Sequence, residues 1–385
     1  MKKLLTLLLV VCLTIGATAQ SNFEVTTKNP RQGSTITFEY MPRNTVLQGV
    51  KDFEATAYLL EGKLPLAKSV TLKQDGGIYR GSVKTNDSTR AVFFSFAKEE
   101  KIDNNNDEGY YTVLYEKNGK EVVGANQAAA IVFNSYGGIW NLKRNADKAA
   151  EFNKKEFGNT AAREKLANEY ISYLAQSKDE ADKELLKAAL ASRLEKKDLS
   201  ETDMMTLKNQ YERTLKDKEK ADAILAQIKE RFPNGTWKRN EAFTAFQKAK
   251  TLAEKEKQYA DFTSAFGPFK EDDYSMVDGM TATLARMHAD SGNYDAASKY
   301  VANINTHSVK ATTLNTIAWK LAGQGLTKKP IDVKRGLAFS LQSFDALNQE
   351  KKTMSGKISY ISDKQYLKNL ENNRHSYSDT YAALL

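Results

Sequence analysis

Residues 92–96 read Val-Phe-Phe-Ser-Phe and residues 36–40 read Ile-Thr-Phe-Glu-Tyr, so apolar side chains stand at every second position in both stretches. A period of two predicts β-strands. The alternation extends from residue 22 to about residue 140, and Asn118-Gly119 between two apolar pairs predicts a two-residue hairpin turn. About seven short strands in roughly 120 residues predict an immunoglobulin-like β-sandwich over 22–140. The alternating positions are Ile36, Phe38, Tyr40, Ala55, Ala57, Leu59, Tyr79, Gly81, Val83, Val92, Phe94, Phe96, Tyr111, Val113 and Tyr115.

Beyond Trp140 the spacing of apolar residues changes to three and four, as in Ala221, Ile224 and Ile228. This spacing, with a composition rich in Ala, Leu, Lys and Glu, predicts an all-α region. Ser200 followed by Asp203 is typical of a helix start, whereas the proline and glycine at 232–235 and 266–268 end helices. We therefore expect a helical bundle over 141–268.

The last segment contains a weak internal repeat, in which three small residues recur 33 positions later. A period of this length is typical of tetratricopeptide-like hairpins, where small residues let two helices approach closely. We expect such hairpins over 269–385, with an irregular bundle as the alternative. The two sets are Ala285, Ala289 and Gly292, and Ala318, Ala322 and Gly325.

Residues 379–385, Asp-Thr-Tyr-Ala-Ala-Leu-Leu, look like the first helix of another hairpin. Neither a glycine stop nor a partner helix follows, and half of a hairpin would leave its apolar stripe uncovered. We therefore expect the sequence to be truncated, with helical repeats that are incomplete at the C-terminus.

The N-terminus has the composition of a secretory signal peptide. A basic start precedes an apolar run at 4–15, and Ala17-Thr18-Ala19 supplies the small residues of a cleavage site. The run is about a dozen residues long, shorter than the roughly 20 that a membrane-spanning helix needs. We therefore expect residues 1–19 to be removed, leaving an exported protein without a transmembrane segment. Lipidation of Cys12 is the less favoured alternative, because Val11 rather than a small residue precedes it.

The chain has 385 residues, 41% of them hydrophobic, and 57 basic against 48 acidic side chains give a net charge of +9. These values are typical of folded proteins and exclude collagen-like and disordered chains. The charge is spread without any basic block of five or more residues, so nucleic acid is not indicated as a partner. Cys12 is the single cysteine and lies in the predicted signal peptide, so the mature protein has no thiol of its own.

Residues 103–109, Asp-Asn-Asn-Asn-Asp-Glu-Gly, place oxygen-bearing side chains at alternate positions, as calcium loops do. The candidate ligands are Asp103, Asn105 and Asp107. The glycine comes one position late, at Gly109, and Leu114 stands where a calcium loop has its bidentate glutamate. A polar hairpin turn between two strands is therefore favoured, with a weak calcium site as the alternative.

Other candidate chemistry is sparse. The three histidines do not pair at the spacing of zinc ligands on one helical face, so we interpret them as packing or surface residues. The three tryptophans are interpreted as core residues, with a partner anchor as the alternative. The sequence contains no motif for nucleophilic catalysis, phosphate binding or dinucleotide binding, and it indicates no cofactor. These residues are His288, His307, His375, Trp140, Trp237 and Trp319.

The order of these parts resembles the TlpA-like thiol-disulfide oxidoreductases, large exported thioredoxin-like proteins of Bacteroidetes. The resemblance covers nearly the whole chain and is one of pattern: a signal ending in Ala-x-Ala-Gln, the sandwich opening at 30–42, the 103–110 segment, the Asn118-Gly119 turn and the Lys/Ala-rich helices up to 376–385. It implies a C-terminal thioredoxin domain with a Cys-x-x-Cys centre, which this sequence lacks. No catalytic residue is therefore carried over, and the resemblance implies a non-catalytic region that positions a redox domain or presents a surface to protein clients. It also implies a location in the periplasm or cell envelope of a Gram-negative bacterium.

We therefore expect the scaffold of an exported thioredoxin-like protein, binding protein or peptide partners through its helical repeats, with its own missing thioredoxin domain as a further partner. One alternative is a self-contained cell-envelope protein that binds a glycan or peptide and has no redox role. A third hypothesis is a hydrolase whose carboxylates meet only in the folded chain.

Overall fold

The computed structural model describes residues 22–61, 64–177 and 179–385. The predicted signal peptide, including Cys12, lies outside these residues. The chain divides into two compact units, the first ending at Ala162 and the second running from Arg163 to Leu385. Antiparallel sheets dominate the first unit and helices form the second, so the predicted order of a β region followed by an α region is confirmed.

The strands of the first unit pair into two antiparallel sheets. In chain order they are β1 (Phe23–Val25), β2 (Thr35–Tyr40), β3 (Glu54–Leu60), β4 (Leu66–Val70), β5 (Lys73–Asp75), β6 (Ile78–Lys84), β7 (Ala91–Lys98), β8 (Lys101–Asp103) and β9 (Tyr110–Val113). One sheet has the order β1-β2-β6-β5, and the other has the order β4-β3-β7-β8, with β9 also paired to β7. Ile36 lies opposite Val83 in the first sheet, and Ala57 lies opposite Phe94 in the second.

The inner faces of the two sheets enclose one apolar core. Phe38 of β2 and Phe94 of β7 meet there with ring centroids 4.7 Å apart. Both positions belong to the alternation that predicted the strands. In β9 the phase differs, because Tyr110 enters this core while Tyr111 packs on the opposite side of the sheet.

Helices cover the outer face of the second sheet. Here α1 (Ala125–Ile131) continues through a π turn and a 3₁₀ turn to Trp140, and α2 (Ala146–Phe157) follows. Phe93 of β7 packs against Phe133 and Trp140, with ring centroids 5.9 and 5.4 Å apart. A strand buried on both faces reads as a nearly continuous apolar run, as 91–96 does. The first unit therefore extends beyond residue 140, where the sequence placed the end of the sandwich, because these helices bury their apolar side against the sheet.

The rest of the chain is helical. The helices are α3 (Thr160–Lys165), which contains the boundary between the units, α4 (Ala167–Gln176), α5 (Glu180–Leu194), α6 (Glu201–Arg213), α7 (Lys218–Arg231), α8 (Thr236–Lys248), α9 (Leu252–Phe266), α10 (Glu271–Asp290), α11 (Tyr294–Ala302), α12 (His307–Leu321), α13 (Val333–Thr353) and α14 (Asp363–Ala382). Ser200 and Asp203 form a reciprocal capping box at the start of α6, as predicted. Within the described ranges, every helix is either too short or too polar to cross a lipid bilayer.

The predicted 33-residue spacing is found for the buried alanines but not for the glycines of the turns. The alanines at 285, 289, 318 and 322 are all at most 2% exposed in one core shared by α10 to α14. The left-handed glycine after α10 is Gly292 (φ +80°), but after α12 it is Gly323 (φ +81°) instead of Gly325. The buried alanines thus recur after 33 residues, whereas the turn glycine recurs after 31 (323 − 292 = 31).

The apolar stripe that was predicted to be uncovered at 379–385 is buried at Ala383 and Leu384 and exposed at Leu385. Leu384 is 1% exposed. It lies against Gly336 of α13, where Leu321 of α12 also approaches. The sequence missed this contact because Gly336 and Leu321 precede Leu384 by 48 and 63 residues in the chain.

Carboxylates of one helix cap another helix in this unit. The Glu201 side chain accepts hydrogen bonds from the backbone N–H groups of Thr236 and Trp237 at the start of α8, at 2.8 and 2.6 Å. The Asp278 side chain of α10 accepts a 2.7 Å bond from the backbone N–H of Thr306, just before α12. Each such bond satisfies a donor that a helix start leaves free and places negative charge at the positive end of the helix dipole.

Candidate functional site

The segment 103–109, predicted as a polar turn with a weak calcium site as the alternative, uses its carboxylates for internal bonds. Asp103 is 7% exposed, and its Oδ2 accepts hydrogen bonds from the hydroxyls of Tyr40 and Tyr110 at 2.5 and 2.9 Å. Asp107 pairs with Lys143 Nζ at 3.2 Å, and bonds from the Lys143 backbone and side chain lower the pKa of that carboxyl. The Asn105 amide donates to the Gly109 carbonyl at 3.0 Å. The three candidate ligands therefore turn toward three different sets of partners.

This loop is the turn between β8 and β9. Asn105, Asn106 and Asp107 all have positive φ, between +54° and +69°. Asn and Asp tolerate this left-handed region better than other residues with a Cβ, because their short polar side chains bond locally to the backbone. The polar composition of 103–109 is thus explained by the turn itself.

The histidines occupy three different environments. His375 is exposed, and His307 lines a groove described below. His288 is 6% exposed, and its Nε2 lies 2.9 Å from a carboxylate oxygen of Glu256 on α9. Its ring stacks on Tyr300, at 5.2 Å between centroids, and burial followed by the charge of Glu256 raises the pKa of Tyr300. His288 therefore links α9, α10 and α11 through packing and one polar contact.

The three tryptophans also lie in different environments. Trp140 is 2% exposed in the helix-covered face of the second sheet, and Trp319 packs on the core of α10 to α14. Trp237 is only partly buried. Its Nε1 donates a 2.6 Å bond to the Phe232 carbonyl, Lys229 Nζ lies 4.8 Å from the centre of its ring, and the residue lines a groove described below. Of the three, Trp237 is the one that lines a groove.

A first groove lies among α11, α12 and α13, and we call it the α11–α13 groove. Its volume is about 320 Å³. Val301, Leu314 and Ala346, each at most 6% exposed, form an apolar floor. The polar rim consists of Ser298, His307, Lys310, Gln342, Asp345 and Gln349. Ligand sites commonly combine an apolar floor with a few polar groups in this way.

A second and larger groove, the α6–α8 groove, has a volume of about 670 Å³. Residues of α6 and α8 line its two sides, and Leu225 of α7 is also part of the lining. The lining positions recur at three and four residues on each helix, so one face of each helix borders the space. They are Met205, Lys208, Asn209 and Arg213 on α6, and Trp237, Asn240, Glu241, Thr244, Ala245 and Lys248 on α8.

The charges in the α6–α8 groove are unevenly paired. Lys208 Nζ pairs with Glu212 at 2.5 Å, and Glu241 pairs with Lys229 at 2.8 Å. The hydrogen bond from Lys208 lowers the pKa of Glu212, and the nearby charge of Arg213 adds to that effect. Arg213 and Lys248 are both exposed, and neither forms an ion pair with any residue that the structure describes.

A third concave site lies on the sandwich of the first unit. Its volume is about 420 Å³, and its lining is Met41, Pro42, Arg43, Gln48, Gly77 and Ile78. Arg43 is the one charged residue of that lining. The site lies between the segment that follows β2 and the turn that connects β5 to β6.

The sequence identified Trp237 as an alternative anchor but did not identify the grooves. The sequence feature that could have indicated the α6–α8 groove is the spacing of residues 205, 208, 209 and 213, which places apolar and polar side chains together on one face of a helix. Each helical groove holds a single lining carboxylate, Asp345 or Glu241, so neither brings together a pair of acidic groups. In the described ranges, no three His, Cys, Asp or Glu residues converge as metal ligands. The chain matches no known protein family, and it matches no curated protein closely enough to establish a relationship.

Proposed function

We propose that this chain is the non-catalytic, partner-binding scaffold of an exported thioredoxin-like protein, and that its helical unit binds a peptide segment of a client. The observation that carries the proposal is the α11–α13 groove. Its apolar floor supplies contact area, and its rim supplies hydrogen-bonding side chains of both charge signs, as in sites that hold an extended or helical peptide.

The fold supports this proposal through rigidity. Asp278 and Glu350, each 0% exposed, bind the start of α12 from α10 and α13. The helix that forms the middle of the groove is therefore fixed at its N-terminus from two sides. A site held in one shape before binding loses less conformational entropy when the peptide docks.

The finer assignments belong to the same proposal. Two antiparallel sheets around one core are what an immunoglobulin-like domain requires, and the pairs α10–α11 and α12–α13 around buried alanines are what tetratricopeptide-like hairpins require. The link to thioredoxin-like proteins depends on the order of parts along the sequence. Because Cys12 is the single cysteine, thiol chemistry would belong to another part of the protein.

Two experiments test the redox part. Sequencing the gene beyond the codon for Leu385 should reveal, in frame, a thioredoxin domain with Cys-x-x-Cys. The chain itself should fail to reduce insulin disulfides with dithiothreitol as the electron source. A downstream region without that motif, or catalysed insulin reduction by this chain, would refute the assignment.

A separate experiment tests peptide binding. A phage-displayed peptide library is selected on the full chain, and the enriched peptides are measured against Asp345→Arg and against Asp379→Arg. Both aspartates are exposed residues of the helical unit, but only Asp345 lines the groove. We expect Asp345→Arg to weaken binding by about tenfold and Asp379→Arg to leave it unchanged. Equal affinities for both variants would place binding elsewhere and remove the support for this function.

The alternative of a self-contained envelope protein is favoured by the 420 Å³ site on the sandwich. That site would hold a glycan or peptide without any redox partner. Binding of a glycan array ligand that is lost in Arg43→Ala and kept in Asp345→Arg would support this alternative over the scaffold.

A further inference from the structure

The two sides of the α6–α8 groove begin at the same end. Glu201, the first residue of α6, accepts hydrogen bonds from the backbone of Thr236 and Trp237, the first residues of α8. The N-termini of both helices are therefore adjacent. The distance of a residue from the start of its own helix therefore gives its position along the groove.

The groove is polarised along its length. Met205 and Trp237 lie near the helix starts, whereas Arg213 and Lys248 are the last residues of α6 and α8. At 1.5 Å per residue, the apolar end is separated from the cationic end by roughly 12 to 16 Å. The Trp237 ring and the Met205 thioether thus lie at one end, where Lys229 Nζ, paired with Glu241, is 4.8 Å from the ring centre, and two cations without an ion pair to any described residue lie at the other end.

Glu212 lies near the cationic end, but it forms its ion pair with Lys208 and not with Arg213. Lys208 and Lys229 are satisfied by Glu212 and Glu241, which leaves the groove with the charges of Arg213 and Lys248. A cation at a helix C-terminus also interacts favourably with the helix dipole. That interaction stabilises the two helices but leaves most donors of the guanidinium and ammonium groups to solvent or a ligand.

We propose that the α6–α8 groove binds an acidic peptide segment, with an apolar side chain against Trp237 and Met205 and carboxylates on Arg213 and Lys248. A peptide in extended form advances about 3.3 Å per residue, so the apolar residue and the carboxylates are about four residues apart. This site goes beyond the α11–α13 groove, because it uses other helices and selects its ligand by charge.

The probe is a short fluorescein-labelled peptide with a leucine followed, about four residues later, by two adjacent glutamates. Two control peptides carry glutamines in place of the glutamates, or have the leucine beside the glutamates. Fluorescence anisotropy with the full chain should show the probe binding about tenfold more tightly than either control, as expected for two exposed ion pairs. Added sodium chloride should reduce the preference over the glutamine peptide.

The variant Arg213→Gln/Lys248→Gln should lose that preference. Its matched control is Lys334→Gln/Lys352→Gln, which removes the same charge from exposed positions of α13 outside both grooves. All four side chains are exposed, and circular dichroism should show unchanged helix content. Trp237→Phe, which keeps an aromatic ring, should weaken the probe and the glutamine peptide by similar factors.

The proposal fails if wild type binds the glutamine peptide as tightly as the probe. It also fails if the Arg213/Lys248 variant keeps the preference, or if the Lys334/Lys352 control loses it to the same degree. The Asp345→Arg variant tests peptide binding in the α11–α13 groove only. A negative result with that variant therefore does not affect the test of the α6–α8 groove.

Discussion

Glu350 on α13 and Ser308 on α12 are 42 residues apart in sequence, and the Glu350 carboxylate accepts a 2.9 Å hydrogen bond from the Ser308 backbone N–H. The same carboxylate accepts bonds from the Ser355 hydroxyl, the Gly356 backbone N–H and the Tyr366 hydroxyl, at 2.8, 2.8 and 2.9 Å. Glu350 is 0% exposed. One side chain therefore joins the start of α12, the loop after α13 and the first turns of α14.

Replacing Glu350 should destabilise the helical unit strongly. Glu350→Ala leaves four buried or half-buried donors without their acceptor, and we expect the free energy of unfolding to fall by about 3 kcal/mol. Glu350→Gln keeps one acceptor oxygen and should cost about half as much. Urea unfolding of the full chain, followed by circular dichroism at the helical wavelength, measures both. Glu371→Gln on α14 breaks an exposed pair with Lys351 and should leave the transition unchanged; a loss as large as that of Glu350→Ala would contradict the role of the network.

The sandwich should lose stability in alkali. Burial, together with the hydrogen bond to Asp103, raises the pKa of Tyr40, and burial with the charge of Asp103 raises the pKa of Tyr110. The folded state then keeps both phenolic protons at a pH where the unfolded chain releases them. Stability is therefore fully present below about pH 10, the ordinary pKa of tyrosine, and falls above it by about 1.4 kcal/mol per pH unit for each tyrosine.

Urea unfolding of the full chain between pH 8 and 11, followed by tyrosine absorbance, measures this dependence. Tyr40→Phe should weaken the sandwich at pH 8, because one donor to Asp103 is lost, but should make the loss above pH 10 less steep. A wild-type slope that is the same above and below pH 10 would contradict the coupling.

Two helical glycines should respond to alanine with opposite signs. A Cβ at Gly279 of α10 would meet no atom within 4 Å, so Gly279→Ala should stabilise the chain by about 0.5–1 kcal/mol through helix propensity. A Cβ at Gly336 of α13 would overlap Leu384 and press on Leu321. Gly336→Ala should therefore destabilise by about 1–3 kcal/mol despite the same gain in propensity. Thermal unfolding of both variants checks the signs, and stabilisation by both would show that Leu384 does not pack on α13 in solution.

The sequence predicts best what depends on neighbours along the chain. The alternation at 36–40 and 92–96, the capping box at Ser200 and the helix end before Pro233 each involve a few adjacent residues, and the structure confirms them. Asn118-Gly119 does form a hairpin turn with Gly119 at φ +79°, but Glu116 and Lys120 close a loop one residue longer than predicted.

What the sequence missed depends on distant contacts. The packing of α1 and α2 on the second sheet was missed because an apolar helix face does not show which surface it will cover. Leu384 was expected to be uncovered because its neighbours Gly336 and Leu321 lie far away in the chain. The grooves were missed for the same reason: the faces of α6 and α8 become one site only when Glu201 brings their starts together.

The loop at 103–109 should respond to loss of Asp103 through its tyrosines and not through calcium. The Asp103 carboxylate accepts hydrogen bonds from the Tyr40 hydroxyl, the Tyr110 hydroxyl and the Asn105 backbone N–H. Asp103→Asn replaces one of its two acceptor oxygens by an amide group, and we expect the free energy of unfolding to fall by about 1–2 kcal/mol. Millimolar calcium should leave the unfolding midpoint of the wild type unchanged, because the inward Asp103 carboxylate is already occupied by two hydroxyl donors. Urea unfolding with calcium and with chelator compares the two proteins. A calcium-dependent rise in midpoint that is present in wild type and absent in Asp103→Asn would establish a metal site and show that the carboxylate leaves its tyrosines to bind the ion.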